Sequence, residues 1–238
     1  LPQLGQTGYK EGDFNMDSQV NDNDPLKWKV NAGRGFSFIV RHPSIDFNCG
    51  EQIRDIRDGQ QYNTVEIGDQ CWMAENLNVG NLLEGYTGMT DNNVIEKYCF
   101  YDSEGYCDEY GGLYQWDEVM QYSVNPGAKG ICPSGWHVPT DEEYCTLATA
   151  VDPTVICGAM DWTGIDAGIK LMEAGSVHWL NPIGTNESGF TGLPGGYSDN
   201  GAYNFLGFMG HWWTSSTVNG NHPLWIHETN HDTDGQWL

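Results

Sequence analysis

The sequence predicts an α+β fold of short strands, long loops and a few helices, and three observations lead there. Thirty-one glycines stand among ten tryptophans and twelve tyrosines, while only 18% of residues are charged. Glycine supplies turns and aromatic rings fill pleated, half-buried surfaces, so this mixture favours strands and loops over long charged helices. A content of 39% hydrophobic and 13% aromatic residues is enough to fill a core. Strand-like stretches lie at both ends of the chain and helical spacing in its middle, the order of an α+β domain.

Residues 1–24 are polar and run into Val20-Asn21-Asp22-Asn23-Asp24-Pro25, which reads as an extended arm closed by a turn. Lys27–Val30 and Gly35–Val40 read as two strands joined through Asn31-Ala32-Gly33. Residues 1–48 are therefore assigned to an N-terminal arm and hairpin, and 49–238 to the main domain. Tyr62–Ile67 alternates as a half-buried strand should. Over 111–122, Leu113, Trp116 and Met120 are spaced for one helical face. Thr140 with Glu143 forms a capping box that opens a second helix, with Tyr144, Leu147 and Val151 inward. A third short helix is expected over Ala167–Ala174. From Gly189 onward short strands return, divided by turns such as Asp199-Asn200-Gly201.

Charge narrows the partners. Ten Lys plus Arg face 33 Asp plus Glu, a formal net charge of −23. Phosphate backbones and anionic membranes attract the opposite balance, so neither nucleic acid nor a membrane surface is expected. No run of about 18 apolar residues is present to cross a bilayer as a helix. A chain that starts at Leu1 is expected to be processed or incomplete, with any signal peptide already removed. Cys49, Cys71, Cys99, Cys107, Cys132, Cys145 and Cys157 contain no CxxC pair, which disfavours structural zinc and favours disulfides in an oxidising compartment. Seven is odd, so one thiol stays alone or pairs with another chain.

Several local patterns invite chemistry. His227-Glu228-Thr229-Asn230-His231 matches the HExxH pattern of zinc hydrolases, which needs two imidazoles one helical turn apart. Thr and Asn are weak helix formers, Trp225-Ile226 reads as strand and Asp232-Thr233-Asp234-Gly235 as a turn, so a zinc hydrolase is only a distant reading. Asn21-Asp22-Asn23-Asp24-Pro25, and half a loop at Asp232, Asp234 and Gly235, resemble calcium ligand sets. A polar turn is the preferred reading of both, so no cofactor is expected, with Ca²⁺ as the alternative. His137, between Trp136 and Val138, reads as a hydrogen-bonded core residue. No Gly-x-Ser-x-Gly elbow, P-loop or dinucleotide fingerprint occurs. The loop residues nominated for ligand contact are Tyr203, Phe205, Phe208, Trp212, Trp213, Asn219 and Trp225, whose rings suit sugar stacking or protein docking.

Five blocks then occur in a telling order. They are Asp58 to Asn78, Tyr110-Gly111-Gly112-Leu113-Tyr114-Gln115-Trp116, Gly130-Ile131-Cys132-Pro133-Ser134-Gly135-Trp136-His137-Val138-Pro139, Asn186 to Tyr197, and Trp212-Trp213-Thr214-Ser215-Ser216. Together they resemble the Fibrobacter succinogenes major paralogous domain family, FISUMP, over roughly 49–217. The resemblance implies a secreted or surface protein of bacteria, a fold related to the C-type lectins, and no established catalytic residue. It also makes Asn186-Glu187-Ser188 a structural element rather than a glycosylation site. The calcium-dependent sugar motifs of C-type lectins are not intact here. In this frame the disulfides expected are Cys99 with Cys107, Cys145 with Cys157, and Cys49 with Cys71, leaving Cys132 alone.

The family usually closes on a strand reading Gly-Phe-Ser-Val-Arg-Cys, whereas this chain ends Gln236-Trp237-Leu238. Gly35, Phe36, Ser37, Phe38, Ile39, Val40 and Arg41 resemble that strand instead. Truncation, permutation within one chain, or donation of this strand to a neighbouring subunit would each account for the shift. The function expected is a non-enzymatic extracellular surface protein of bacteria, structural or adhesive, with self-assembly into a filament through the N-terminal arm or docking to another surface protein. A soluble glycan- or protein-binding module is the alternative.

Overall fold

The computed structural model describes residues 47–159, 163–218, 222–223 and 227–230. The expected N-terminal strands, including Gly35–Val40, and the acidic stretches at 21–25 and 232–235 lie outside the described residues.

Within them the sheet is broken into six two-stranded ladders. β1 (Ile53–Arg54) pairs with β2 (Gln61–Tyr62), and β3 (Thr64–Ile67) with β4 (Gln70–Met73), both antiparallel. The expected strand over 62–67 is thus interrupted at exposed Asn63, whose backbone N–H bonds the Glu75 carboxylate at 2.8 Å and not a strand partner. β5 (Asn81–Leu82) and β6 (Glu96–Lys97) run parallel, unlike the other five pairs. A short 3₁₀ turn, Phe100–Asp102, leads into α1 (Glu104–Tyr110), followed by α2 (Trp116–Val119), α3 (Asp141–Val151) and α4 (Ala167–Leu171). β7 (Tyr197–Asp199) pairs with β8 (Ala202–Asn204), β9 (Met209–Trp212) with β12 (His227–Asn230), and β10 (Thr217–Val218) with β11 (His222–Pro223).

The local chemistry explains which expectations hold. At α3 both halves of the capping box form: Thr140 Oγ1 accepts from Glu143 N at 3.2 Å, and Glu143 Oε2 accepts from Thr140 N at 2.8 Å. Tyr144 and Leu147 are buried, and Val151 packs on the same cluster. The β7–β8 turn falls at Asn200-Gly201, where φ is +48° and +81°, the left-handed pair a two-residue hairpin requires. The helix over 111–122 shrinks to four residues, because Leu113 is engaged in a bridge with Tyr98 before the helix begins. The helix at 167 stops at Leu171, since Met172 turns extended and bridges Gly192.

Two clusters carry the core. Ile67, Trp72, Tyr144, Leu147, Ala167, Leu171 and Phe190 pack the β3–β4 hairpin against α3 and α4. Val79, Val119, Met120, Ile131 and Val138 form the other. Gly130 permits the second: a Cβ there would lie 2.0 Å from the Val119 carbonyl oxygen, which instead accepts from Ile131 N at 2.8 Å. Trp212 packs on the first cluster and Trp213 on the second, so adjacent residues bind β9 to both. Disulfides join Cys49–Cys71, Cys99–Cys107 and Cys145–Cys157. Cys132 is the free thiol, and burial pushes it up to about 12.

Candidate functional site

A cleft of about 350 Å³ opens between the loop at 85–88 and the β7–β8 hairpin. Its floor comes from residues 112–115 and from His211 and Trp213, with Tyr98 at one side. The ring residues are held by hydrogen bonds to backbone carbonyls. Tyr98 Oη donates to Thr87 O at 2.6 Å, Tyr114 Oη to Val79 O at 2.7 Å, and Trp213 Nε1 to Tyr114 O at 2.9 Å. With their polar tips engaged, these rings offer the cleft mainly apolar surface.

One carboxylate holds both walls. Asp102 Oδ1 accepts from Gly85 N of the loop at 2.8 Å and from Tyr203 Oη of the hairpin at 2.5 Å. Burial and then the Asp102 carboxylate hold the Tyr203 phenol well above its ordinary range. The Tyr203 ring packs on Phe100 and Tyr101, with centroids 5.1 and 6.0 Å away. Tyr101 and Asp102 sit at φ +55° and +54°, a region that bulky side chains avoid, so the backbone is strained where the keystone is placed. Gly201 lets the hairpin tip approach: a Cβ would meet that of Tyr86 at 3.1 Å. Asp102→Ala orphans two donors and is expected to lower stability by about 1–3 kcal/mol. Amide exchange should quicken at Gly85 while Leu147, in the core, stays protected; Tyr203→Phe should do less, because Gly85 keeps its acceptor.

His211 lies at the back of the cleft. Both ring nitrogens are buried, and neither has a hydrogen-bond partner among the described residues. The ring meets Tyr197 edge-on at 5.3 Å. Burial pushes its pKa down to about 4. The folded ring therefore stays neutral where the unfolded one, with its ordinary value near 6.5, already binds a proton. Its contribution is present above pH 6.5 and is lost as pH falls towards 4. Urea midpoints of wild type and His211→Phe, followed from pH 7.5 to 4.5, should diverge below pH 6.5. Wild type is expected to lose up to about 1.4 kcal/mol per pH unit relative to the variant.

The nominated contact residues separate. Phe205 and Phe208 are 46% and 37% exposed, and Phe205 stacks on Tyr197 at 5.7 Å. Tyr203 stands behind the wall and Trp213 lines the cleft. Trp212 is not a surface contact: its Nε1 donates to Asn76 Oδ1 at 2.9 Å and its ring meets Phe190, as a half-buried core residue does. Asn219 and Trp225 lie outside the described residues. Reasoning from sequence missed Tyr86, Thr87, Gln115, Ser198, Asn200 and His211. Of these, only Asn200 carried a visible signal, its Asn-Gly turn.

Other patterns resolve into structure. His227–Asn230 is a strand and not the helix that HExxH chemistry needs, and His231 lies outside the described residues. His137 Nε2 bonds the Glu143 carboxylate at 2.9 and 3.0 Å, the partner expected of a core histidine. Asn186 faces its own loop, Nδ2 donating to Thr191 Oγ1 at 3.0 Å and Oδ1 accepting from Thr191 N at 2.9 Å. Cys99, Glu104 and Cys107 bring possible metal donors together, but the sulfurs bond each other and Glu104 pairs with Lys97 at 3.2 Å.

The sequence model described as the Fibrobacter succinogenes major domain matches residues 65–232, well over half of the chain and every residue lining the cleft. No curated protein and no solved structure matches the chain.

Proposed function

The chain belongs to the Fibrobacter succinogenes major domain family, and from that premise we propose that it is a non-catalytic adhesive module of the bacterial cell surface, recognising its partner through the cleft. The observation that carries this reading is a recognition surface fixed in advance. Its rings are locked by hydrogen bonds, and its two walls share the Asp102 acceptor. Ordering of this kind lowers the entropy lost on binding. The cleft presents rings, hydroxyls and carboxamides, groups suited to holding a partner. Three disulfides suit an oxidising exterior, where a small module must hold its shape. No helix among the described residues is long and apolar enough to cross a membrane.

Gly88 provides a fold-sparing test. It lines the cleft, and a Cβ added there meets nothing within 4 Å. Beads coated with wild type are expected to be retained on bacterial envelope surfaces under flow. Gly88→Trp, which fills the cleft, should abolish retention, and Ile56→Trp, at a position 90% exposed elsewhere, should not. Equal retention of all three proteins would contradict the reading.

A further inference from the structure

Resting on that reading, we propose that the cleft binds an uncharged carbohydrate, one sugar ring lying on the aromatic floor with its hydroxyls met by Gln115 and Asn200. Charge is the first argument. None of the described lining residues is Lys, Arg, Asp or Glu, in a chain that carries −23 overall. An anionic ligand would find no cation and an unfavourable field, and a cationic one would find no carboxylate in the lining. The ligand that fits is neutral.

The polar groups select among neutral ligands. Gln115 Oε1 accepts from Met89 N at 3.2 Å, which leaves its Nε2 as a donor. Across the cleft, Asn200 Nδ2 donates to Asp199 Oδ1 at 2.8 Å, which leaves its own Oδ1 as an acceptor. Thr87 and Ser198 add hydroxyls that serve either way. A sugar hydroxyl is likewise donor and acceptor at once, and the apolar face of a sugar ring covers an aromatic face. Trp213 and Tyr114 supply such faces, their polar tips being engaged by backbone carbonyls.

At about 350 Å³ the space lies at the lower end of ligand pockets and suits one or two sugar rings. An extended peptide would use a strand edge instead, and β7 has only three residues to offer one.

The test titrates the full chain with neutral cello-, xylo-, manno- and galacto-oligosaccharides, and with oligogalacturonides and chitosan oligomers as charged counterparts. Tryptophan fluorescence and calorimetry read the binding. Saturable binding of at least one neutral oligosaccharide is expected, weakened about tenfold or more by Gln115→Ala and absent in Gly88→Trp. Preference for a charged series, or affinity indifferent to these variants, overturns the proposal. If no sugar binds while beads still adhere in a Gly88-dependent way, the carbohydrate is wrong and adhesion through the cleft stands. If a neutral sugar binds but beads are not retained, the carbohydrate stands and the adhesive reading falls. Failure of both assays overturns both.

Discussion

Reduction of the three disulfides is expected to abolish the cooperative unfolding transition at room temperature. The bridges close loops of 22, 8 and 12 residues. In the chain-entropy description these contribute about 3.4, 2.5 and 2.8 kcal/mol, and enthalpic effects on the unfolded chain modify each value. Together they are comparable to the ~5–15 kcal/mol that separates folded from unfolded domains. Cys49–Cys71 ties the start of the described chain to β4, and Cys145–Cys157 ties α3 to the loop after it. Thermal melts followed by circular dichroism should be sigmoidal without reductant and lose that transition with a phosphine reductant. Replacing both members of Cys49–Cys71 by serine should lower stability more than replacing Cys99–Cys107. Cys132 should resist alkylation until the chain unfolds, because a thiol pushed up to about 12 by burial is not a thiolate at neutral pH. An undiminished melting transition in reductant would contradict this account.

Asp152→Ala should be the most damaging single side-chain replacement away from the cysteines. Asp152 is 3% exposed, and its two oxygens accept four hydrogen bonds. Thr154 N and Thr154 Oγ1 bond one oxygen at 2.9 and 2.6 Å, and Ile165 N and Asp166 N bond the other at 2.5 and 3.0 Å. One carboxylate thus joins the end of α3 to the start of α4, around a loop that the sequence alone left blank. Alanine orphans three backbone N–H groups, a loss of about 3–5 kcal/mol. Asparagine keeps one acceptor and should fall between. Burial alone would raise the Asp152 carboxyl, but the hydrogen bonds from Thr154, Ile165 and Asp166 outweigh it and hold it well below the usual carboxylate range. Its stabilisation is therefore complete above the ordinary carboxylate value and is lost as pH falls below it, while Asp152→Ala loses it at every pH. Urea denaturation at pH 7 and pH 2.5 measures both: the gap between wild type and Asp152→Ala should be wide at pH 7 and narrower at pH 2.5. A gap under about 1 kcal/mol at pH 7 would show the loop is held some other way.

What could be read from the sequence was what short-range chemistry fixes. Thr140 and Glu143 lie three residues apart and cap one helix, and Asn200-Gly201 meets the dihedral needs of one turn, so both were visible. Composition and the order of strand-like and helical stretches carried the α+β class, and the family resemblance carried the three cysteine pairs. The cleft was not legible, because its parts converge through contacts far apart in sequence. Asp102 reaches Tyr203 across 101 positions, and Trp213 reaches Tyr114 across 99. Loop 85–88 has no periodicity to announce which side chains face the cleft, and 112–115 read as the start of a helix that begins only at Trp116. Aromatic content alone could not tell Trp212, committed to the core, from Trp213, which shows a face to the cleft. α1 escaped for a related reason: its seven residues, Glu104–Tyr110, bury Cys107 alone.

The account turns on the cleft as the surface where a partner is met. Amide and indole shift mapping of the ¹⁵N-labelled chain, titrated with solubilised envelope glycans, tests it most directly. Perturbations should concentrate at 85–88, 112–115, 196–200, His211 and the Trp213 indole. Shifts centred instead around exposed Ile56 or Val177, with those residues unmoved, would contradict it.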